Sequence, residues 1–310
     1  MIQTSAERQK MILLKLVGGA FFWGGTFVAG RIVAGRLPPL DAATLRYLCG
    51  GSAFLLLLCM YREWRRVTGR DLIWLALMGI TGVVSFNLFF FAALQHITAS
   101  RAALIVSTNP IGVLLGARLI FGDKLTGRQV AGIVLSSIGA VIVAASRPDV
   151  AIAADRWGDV LAFGCGLSWV LYALLARKAV ASVPPLTSAG YSTLIGTGIL
   201  VAMTAPQASA KKLSALSWQP WVAVGFMGVC GTALAFKWFV DGVSALGAGR
   251  TAQFNNLVPV FAVVLSTVVL GEHPSAGSLL GGAVVIAGLI ITQTRNSASQ
   301  RTFVAPASPD

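Results

Sequence analysis

FWGGTFVAGRIVAGRLPPL, residues 22–40, and SWVLYALLARKAVASVPPL, residues 168–186, are two copies of one pattern. Trp23 and Trp169, Arg31 and Arg177, and Pro38 and Pro184 each stand 146 residues apart. Beyond these stretches the correspondence continues at an offset of 149, and one three-residue loop insertion accounts for the drift. Met78-Gly79 matches Met227-Gly228, Gly82 matches Gly231, and Arg101 matches Arg250. Pro110 matches Pro259, Gly122-Asp123 matches Gly271-Glu272, and Gly132 and Gly139 match Gly281 and Gly288.

Both copies lie in apolar runs. A helix that crosses a bilayer needs about 20 apolar residues at about 1.5 Å each. Ten such runs occur, over 11–34, 41–61, 72–95, 102–121, 128–146, 157–177, 187–205, 219–241, 251–270 and 277–294. The connections are short and polar, with Pro or Gly as stop signals. No strand-like alternation persists, which argues against a barrel. Each copy holds five runs, and five is odd, so the second copy enters the membrane from the opposite side. Such inverted repeats are typical of secondary transporters with a site at the repeat interface. The expected fold is an all-α polytopic membrane protein, ten transmembrane helices as two inverted five-helix repeats around a central cavity. The expected organisation is a tail over 1–10, repeat 1 over 11–146, a loop over 147–156, repeat 2 over 157–294 and a tail over 295–310.

Composition agrees. Of 310 residues, 56% are hydrophobic and 11% charged, against about 25% charged in soluble domains. The net charge is +13, but Lys and Arg lie between apolar runs rather than clustered on a polar face, which points to a lipid bilayer and away from nucleic acid. With the N-terminus in the cytoplasm, 15 of the 24 Lys and Arg fall in cytoplasmic segments and 7 on the other side. Arg62 to Arg70 is the strongest vote for cytoplasmic N- and C-termini. The first run is followed by Arg31 rather than a small-residue cleavage site, so it reads as a span and not a signal peptide. Cys49, Cys59, Cys165 and Cys230 lie in apolar stretches without CxxC spacing and read as free, buried and structural.

Trp-Gly-Gly-Thr-Phe at 23–27 resembles the first-helix motif of the EamA-type branch of the drug/metabolite transporter superfamily. Gly271-Glu272, followed by Gly281 and Gly288, resembles its repeat-ending signature. The likeness covers residues 11–294. It implies two inverted five-helix repeats around a central cavity, and export of amino acids, nucleotide sugars, drugs or other metabolites. Within the superfamily the sequence is most similar to bacterial exporters of aromatic amino acids. The resemblance implies a bacterial inner-membrane transporter, sufficient as a monomer, that exports amino acids of broad side-chain type by alternating access. Export of drugs or other small metabolites is the alternative.

Candidate residues follow from polar and aromatic groups inside the runs. Asp241 is the acid that sits well within one, four residues after Lys237 and on the same helix face. The pair reads either as a site, with Lys237 meeting a substrate carboxylate and Asp241 coupling to an ion, or as a structural ion pair with a snorkelling lysine. Arg46 is the other cation left within a span. Asn87, Asn255 and Asn256 offer donors and acceptors without fixed charge, as a zwitterion requires, or glue between helices. Trp23, Trp169, Tyr172 and Trp238 lie well inside runs and could wall a cavity or pack helices. Trp74, Trp157, Trp218 and Trp221 lie near run ends, as interfacial anchors do. Arg31 and Arg177 read as topological anchors. His96 and His273 are isolated, so no metal is expected. No phosphate loop, nucleophile elbow or dinucleotide fingerprint appears. No cofactor and no enzyme activity is therefore expected, and pumping would draw on a gradient.

Overall fold

The computed structural model describes residues 5–34, 36–97, 102, 105–146, 156–207, 217–270 and 274–293. The connection at 147–155, Glu272, His273, Arg101 and the tail from 294 lie outside the described residues, as does the Arg31 side chain. Among the described residues the structure is helical, without strands. Helices α1 (Ser5–Ala34), α2 (Pro39–Met60), α5 (Gly127–Ala145), α6 (Arg156–Ala179) and α7 (Pro185–Thr204) are unbroken. α3 runs as Gly69–Met78, a π-helical segment Gly79–Ser85, then Phe86–His96. α8 does the same, as Trp218–Gly228, a π segment Val229–Leu234, then Ala235–Leu246. α4 is described over Asn109–Phe121, α9 is broken into Ala248–Ala252, a 3₁₀ turn Gln253–Asn256 and Leu257–Leu270, and α10 spans Ala276–Gln293.

Seven of these helices (α1, α2, α3, α5, α6, α7 and α8) are long and apolar enough to cross a membrane, and α4 and α10 are shorter apolar helices. The molecule is an all-α polytopic membrane protein. α1 begins at Ser5, inside the stretch read as an N-terminal tail. The shortness of α4 and the breaks in α9 have one cause. Both precede a proline, Pro110 or Pro259, which cannot donate to the turn before it, and the chain makes a turn at Ser107-Thr108 and a 3₁₀ turn at Gln253–Asn256 instead. Leu14, Leu56, Leu119, Phe163 and Val268 are exposed, an apolar outer surface suited to lipid. Cys59 is exposed as well, unlike the buried Cys165, because it lies on the outward face of α2.

Local rules recur at repeat-related positions. α2 and α7 each begin with Pro at the first helical turn, capped by Pro38 and Pro184, where the fixed φ suits the helix and the missing N–H costs nothing. The π segments of α3 and α8 match at the 149 offset. Where each π segment starts, a glycine packs against a helix that begins at Pro-Pro: Gly79 opens the segment in α3, and Gly228 directly precedes the one in α8. A Cβ at Gly79 would stand 2.6 Å from the Ser192 carbonyl of α7, and one at Gly228 would stand 2.9 Å from the Arg46 carbonyl of α2. α5 and α10, themselves repeat equivalents, cross so closely that a Cβ at Gly132 would lie 2.7 Å from the Gly288 carbonyl. A Cβ at Gly139 would likewise lie 2.7 Å from the Gly281 carbonyl. Residue order rises along α5 as it falls along α10, so the two run antiparallel.

Candidate functional site

The centre of the bundle is aromatic. Trp23 of α1 meets Trp169 of α6 edge to face, with ring centroids 5.2 Å apart. Trp169 also touches Tyr172 at 5.2 Å, Phe239 of α8 at 5.1 Å and Phe236 at 5.7 Å. Phe86 of α3 reaches Trp169 at 5.7 Å. All of these lie near the middle of their helices. Both halves of the chain therefore contribute rings to one cluster, and the edge-to-face geometry suits the ring quadrupoles.

The π segments set this centre. The Trp23 indole N–H donates to the Gly231 carbonyl at 2.9 Å, an acceptor within the π turn of α8. Thr26 packs on Gly231 and Tyr172 packs on Gly82, the equivalent glycine of α3; a Cβ would fall 2.4 Å and 2.3 Å from those side chains. The second half lacks the matching hydrogen bond. Trp169 Nε1 and the Tyr172 hydroxyl are buried without a hydrogen-bond partner among the described residues. Buried polar groups are nearly always satisfied, so two orphaned groups on adjoining rings mark the centre as a place where a solute's polar atoms could bind.

The remaining candidates lie apart from this cluster. Trp238 stacks on Phe22 at 5.5 Å and covers Gly18 of α1. Lys237 donates to Asp241 at 2.8 Å, and Lys15 of α1 approaches the same oxygen at 3.4 Å. Asp241 is thus shared by two lysines, a triad that sequence spacing could not show because Lys15 is 226 residues away. Asn87 Nδ2 donates to the Val83 carbonyl at 2.6 Å and to Tyr47 at 3.2 Å. The Asn256 amide lies 2.9 Å from Ser136 Oγ and 3.2 Å from Ser137 Oγ of α5. Gln253 ties the same crossing by donating to the Gly132 and Gly288 carbonyls. Asn255 is partly buried, its side-chain oxygen without a partner. Arg177 grips Asp123 with both terminal nitrogens and lies over Phe121 at 4.3 Å. Among the described residues no group of three His, Cys, Asp or Glu is placed to hold a metal.

Sequence reasoning missed Phe86, Phe236 and Phe239. An apolar ring in an apolar run carries no linear signal. Arg46, noted above as a cation within a span, does carry one, with no acid three or four residues away.

Known proteins place this architecture. The model of the EamA-like transporter family matches the chain twice, over residues 10–145 and 156–294. The chain belongs to that family. As an EamA-like transporter it is a multi-pass inner-membrane protein that moves small solutes by alternating access, not an enzyme. It is 29% identical to the uncharacterized transporter YyaM of Bacillus subtilis over 282 residues, 90% of this chain and 92% of that one. It is 27% identical to the uncharacterized inner membrane transporter YedA of Escherichia coli over 305 residues, 96% and 97% of the two chains. A Streptantibioticus cattleyicolor protein named a probable terminal-alkyne amino-acid exporter is 26% identical over 251 residues, 78% of this chain and 80% of that one. A solved crystal structure shares the fold at a TM-score of 0.72 and 21% identity, covering 90% of this chain and 96% of that one. The likeness is broad. It establishes the family and not an amino-acid-exporting branch within it.

Proposed function

We propose that this EamA-like transporter exports small amphipathic metabolites through a centre built between two inverted five-helix repeats. The carrying observation is the ring cluster of Trp23, Trp169, Tyr172, Phe236 and Phe239, which joins both halves and holds two orphaned polar groups. Rings tolerate many apolar bodies, which suits a broad range of metabolites and drug-like solutes. The antiparallel crossing of α5 and α10 supports the inverted relation of the halves, as do the twin π segments and the two family matches. Rocking of one half against the other would part the rings and expose them to each side in turn. One chain supplies both walls, so a monomer suffices. The excess of Lys and Arg in the segments read as cytoplasmic supports cytoplasmic termini.

Asp241 is the group through which coupling to protons would run, freed from Lys15 or Lys237 as the bundle rocks. Lys237 and Trp238 would then line the cytoplasmic approach. Asn87, Asn255 and Asn256 belong to the second reading, amino-acid export, favoured by the amino-acid exporter among the relatives. Both readings are tested by counterflow in proteoliposomes. Vesicles preloaded with indole-bearing or aliphatic metabolites are assayed with and without a proton gradient. Competition by free amino acids supports the second reading. Exchange of aromatic metabolites that amino acids leave untouched supports the first.

A further inference from the structure

Arg46 is an intramembrane cation without a counter-ion among the described residues. It lies seven residues into α2 and is 8% exposed, so it does not reach out to the lipid headgroups. Its Nε donates to Thr232 Oγ1 of the α8 π segment at 3.1 Å. The Thr232 hydroxyl in turn lies 3.0 Å from the Met227 carbonyl and donates to it. The Arg46 guanidinium carbon sits 5.4 Å from the ring centre of its neighbour Tyr47. Among the described residues no carboxylate pairs with it, and its two terminal nitrogens make no hydrogen bond. By contrast Lys15, Lys237 and Arg177 all hold acids.

The charge is not demanded by the helix crossing. Gly228 packs on the Arg46 carbonyl as Gly79 packs on that of Ser192, and Gly50 packs on Thr232 as Gly196 packs on Val83. The crossing of α3 with α7 thus makes the same contacts with Ser192 where that of α2 with α8 has Arg46, and with Val83 where it has Thr232. An unpaired charge within the membrane is costly and typically marks a substrate or ion path.

The guanidinium also lies at the edge of the aromatic centre. Arg46 Nη2 would be 3.9 Å from a Cβ on Gly231, the residue whose carbonyl receives the Trp23 indole. We infer that Arg46 is the anion-binding residue of this transporter, taking the carboxylate of an organic acid whose aromatic or apolar body lies against the Trp23–Trp169 cluster. This rests on the export of small amphipathic metabolites proposed above and names their charge. Guanidinium presents two parallel donors to a carboxylate, and Thr232 fixes the Nε edge so that the terminal nitrogens stay free. A cationic solute finds no such partner, because Asp241 is already shared by two lysines.

The test uses four probes with one indole body. Indole-3-acetate is the anion, indole-3-acetamide the neutral analogue, tryptamine the cation and tryptophan the zwitterion. Ligand-dependent thermal stabilisation of the purified full chain is measured for wild type, Arg46→Gln, Arg46→Lys and Thr232→Val. Wild type is expected to bind indole-3-acetate at least tenfold more tightly than the amide or the amine. Arg46→Gln is expected to weaken the acetate about 10- to 100-fold, the worth of a hydrogen-bonded charge, and to leave the amide unchanged. Arg46→Lys keeps the charge without the fork and is expected to fall between, which separates lost recognition from lost folding. Equal binding of amide and acetate, or an Arg46→Lys variant that binds acetate as wild type does while Arg46→Gln unfolds, overturns the assignment and leaves export of small metabolites standing. No stabilisation of folded wild type by any of the four overturns both.

Discussion

Repeat-equivalent residues of this transporter have different jobs, and the tryptophans separate them. Trp23 spends its indole N–H on a carbonyl of the α8 π turn, whereas Trp169 offers its own to none of the described residues. Trp23→Phe should therefore lower stability by about 1 kcal/mol, the net worth of one hydrogen bond. Trp169→Phe loses ring packing but no hydrogen bond, so it should cost less stability than Trp23→Phe and raise the KM for solutes with a polar head. Melting temperature and uptake kinetics on the same preparations check the contrast, and a Trp169→Phe protein that melts as early as Trp23→Phe sinks it. Asp241 gives a second test. Neutralising it strands Lys15 and Lys237 beside each other, so Asp241→Asn should cost about 1.5–3 kcal/mol, typical of hydrogen bonds to charged groups. Adding Lys15→Met should recover part of that loss. Uptake that remains as gradient-dependent in Asp241→Asn as in wild type would remove Asp241 from the coupling path. Of these roles the sequence showed the Lys237–Asp241 spacing and the pairing of Trp23 with Trp169. It could not show Lys15 at Asp241 or Thr232 at Arg46, because those partners come from helices more than 180 residues apart.

At the scale of elements, apolar run length and the spacing of Gly and Pro are linear signals, so helix positions were legible. The π segments of α3 and α8 were not, since an extra residue in a helical turn leaves no mark in hydropathy. Their position explains why Gly79 and Gly228 recur: each lets a backbone carbonyl of the facing helix come closer than a Cβ would allow. The α5–α10 crossing makes the sharpest prediction. In lipid, helices associate through close packing of small residues rather than a hydrophobic drive. A Cβ at Gly139 would lie 2.6 Å from the Val285 backbone nitrogen, so Gly139→Leu must push α10 away. It should yield little folded, monodisperse protein by size-exclusion chromatography. Gly198 of α7 has nothing within 4 Å of a Cβ. Gly198→Ala should be tolerated and gain up to about 1 kcal/mol from the stiffer chain. Equal behaviour of the two variants would mean that α5 and α10 do not meet as described.

For the whole molecule the number of crossings is a question of parity. α4 is too short by itself to count as a span on length and hydropathy, yet hydrogen bonds between distant connections constrain which ends share a side. Arg36, after α1, bonds Ser217, before α8. Tyr191 and Thr187, at the start of α7, bond the carbonyls of Arg65 and Glu63, between α2 and α3. Ends on one side are separated by an even number of crossings. From Arg36 to Ser217 the chain passes α2 to α7, an even count only if α4 crosses. From Arg65 to Thr187 it passes α3 to α6, again even only with α4. Ser275, before α10, reaches the Ser146 carbonyl after α5, and the same reasoning then predicts that α9 crosses. The parity predicts that residues 65 and 217 face opposite sides, with 65 cytoplasmic by its basic loop. Single cysteines at these two positions, in a background with Cys49, Cys59, Cys165 and Cys230 replaced, should give a clean split. A membrane-impermeant maleimide should label Ser217→Cys in intact cells and Arg65→Cys only in inverted vesicles. Labelling of both from one side would leave α4 as a re-entrant segment and remove the inverted relation of the halves, since the first half would then hold four crossings and the second would enter from the same side.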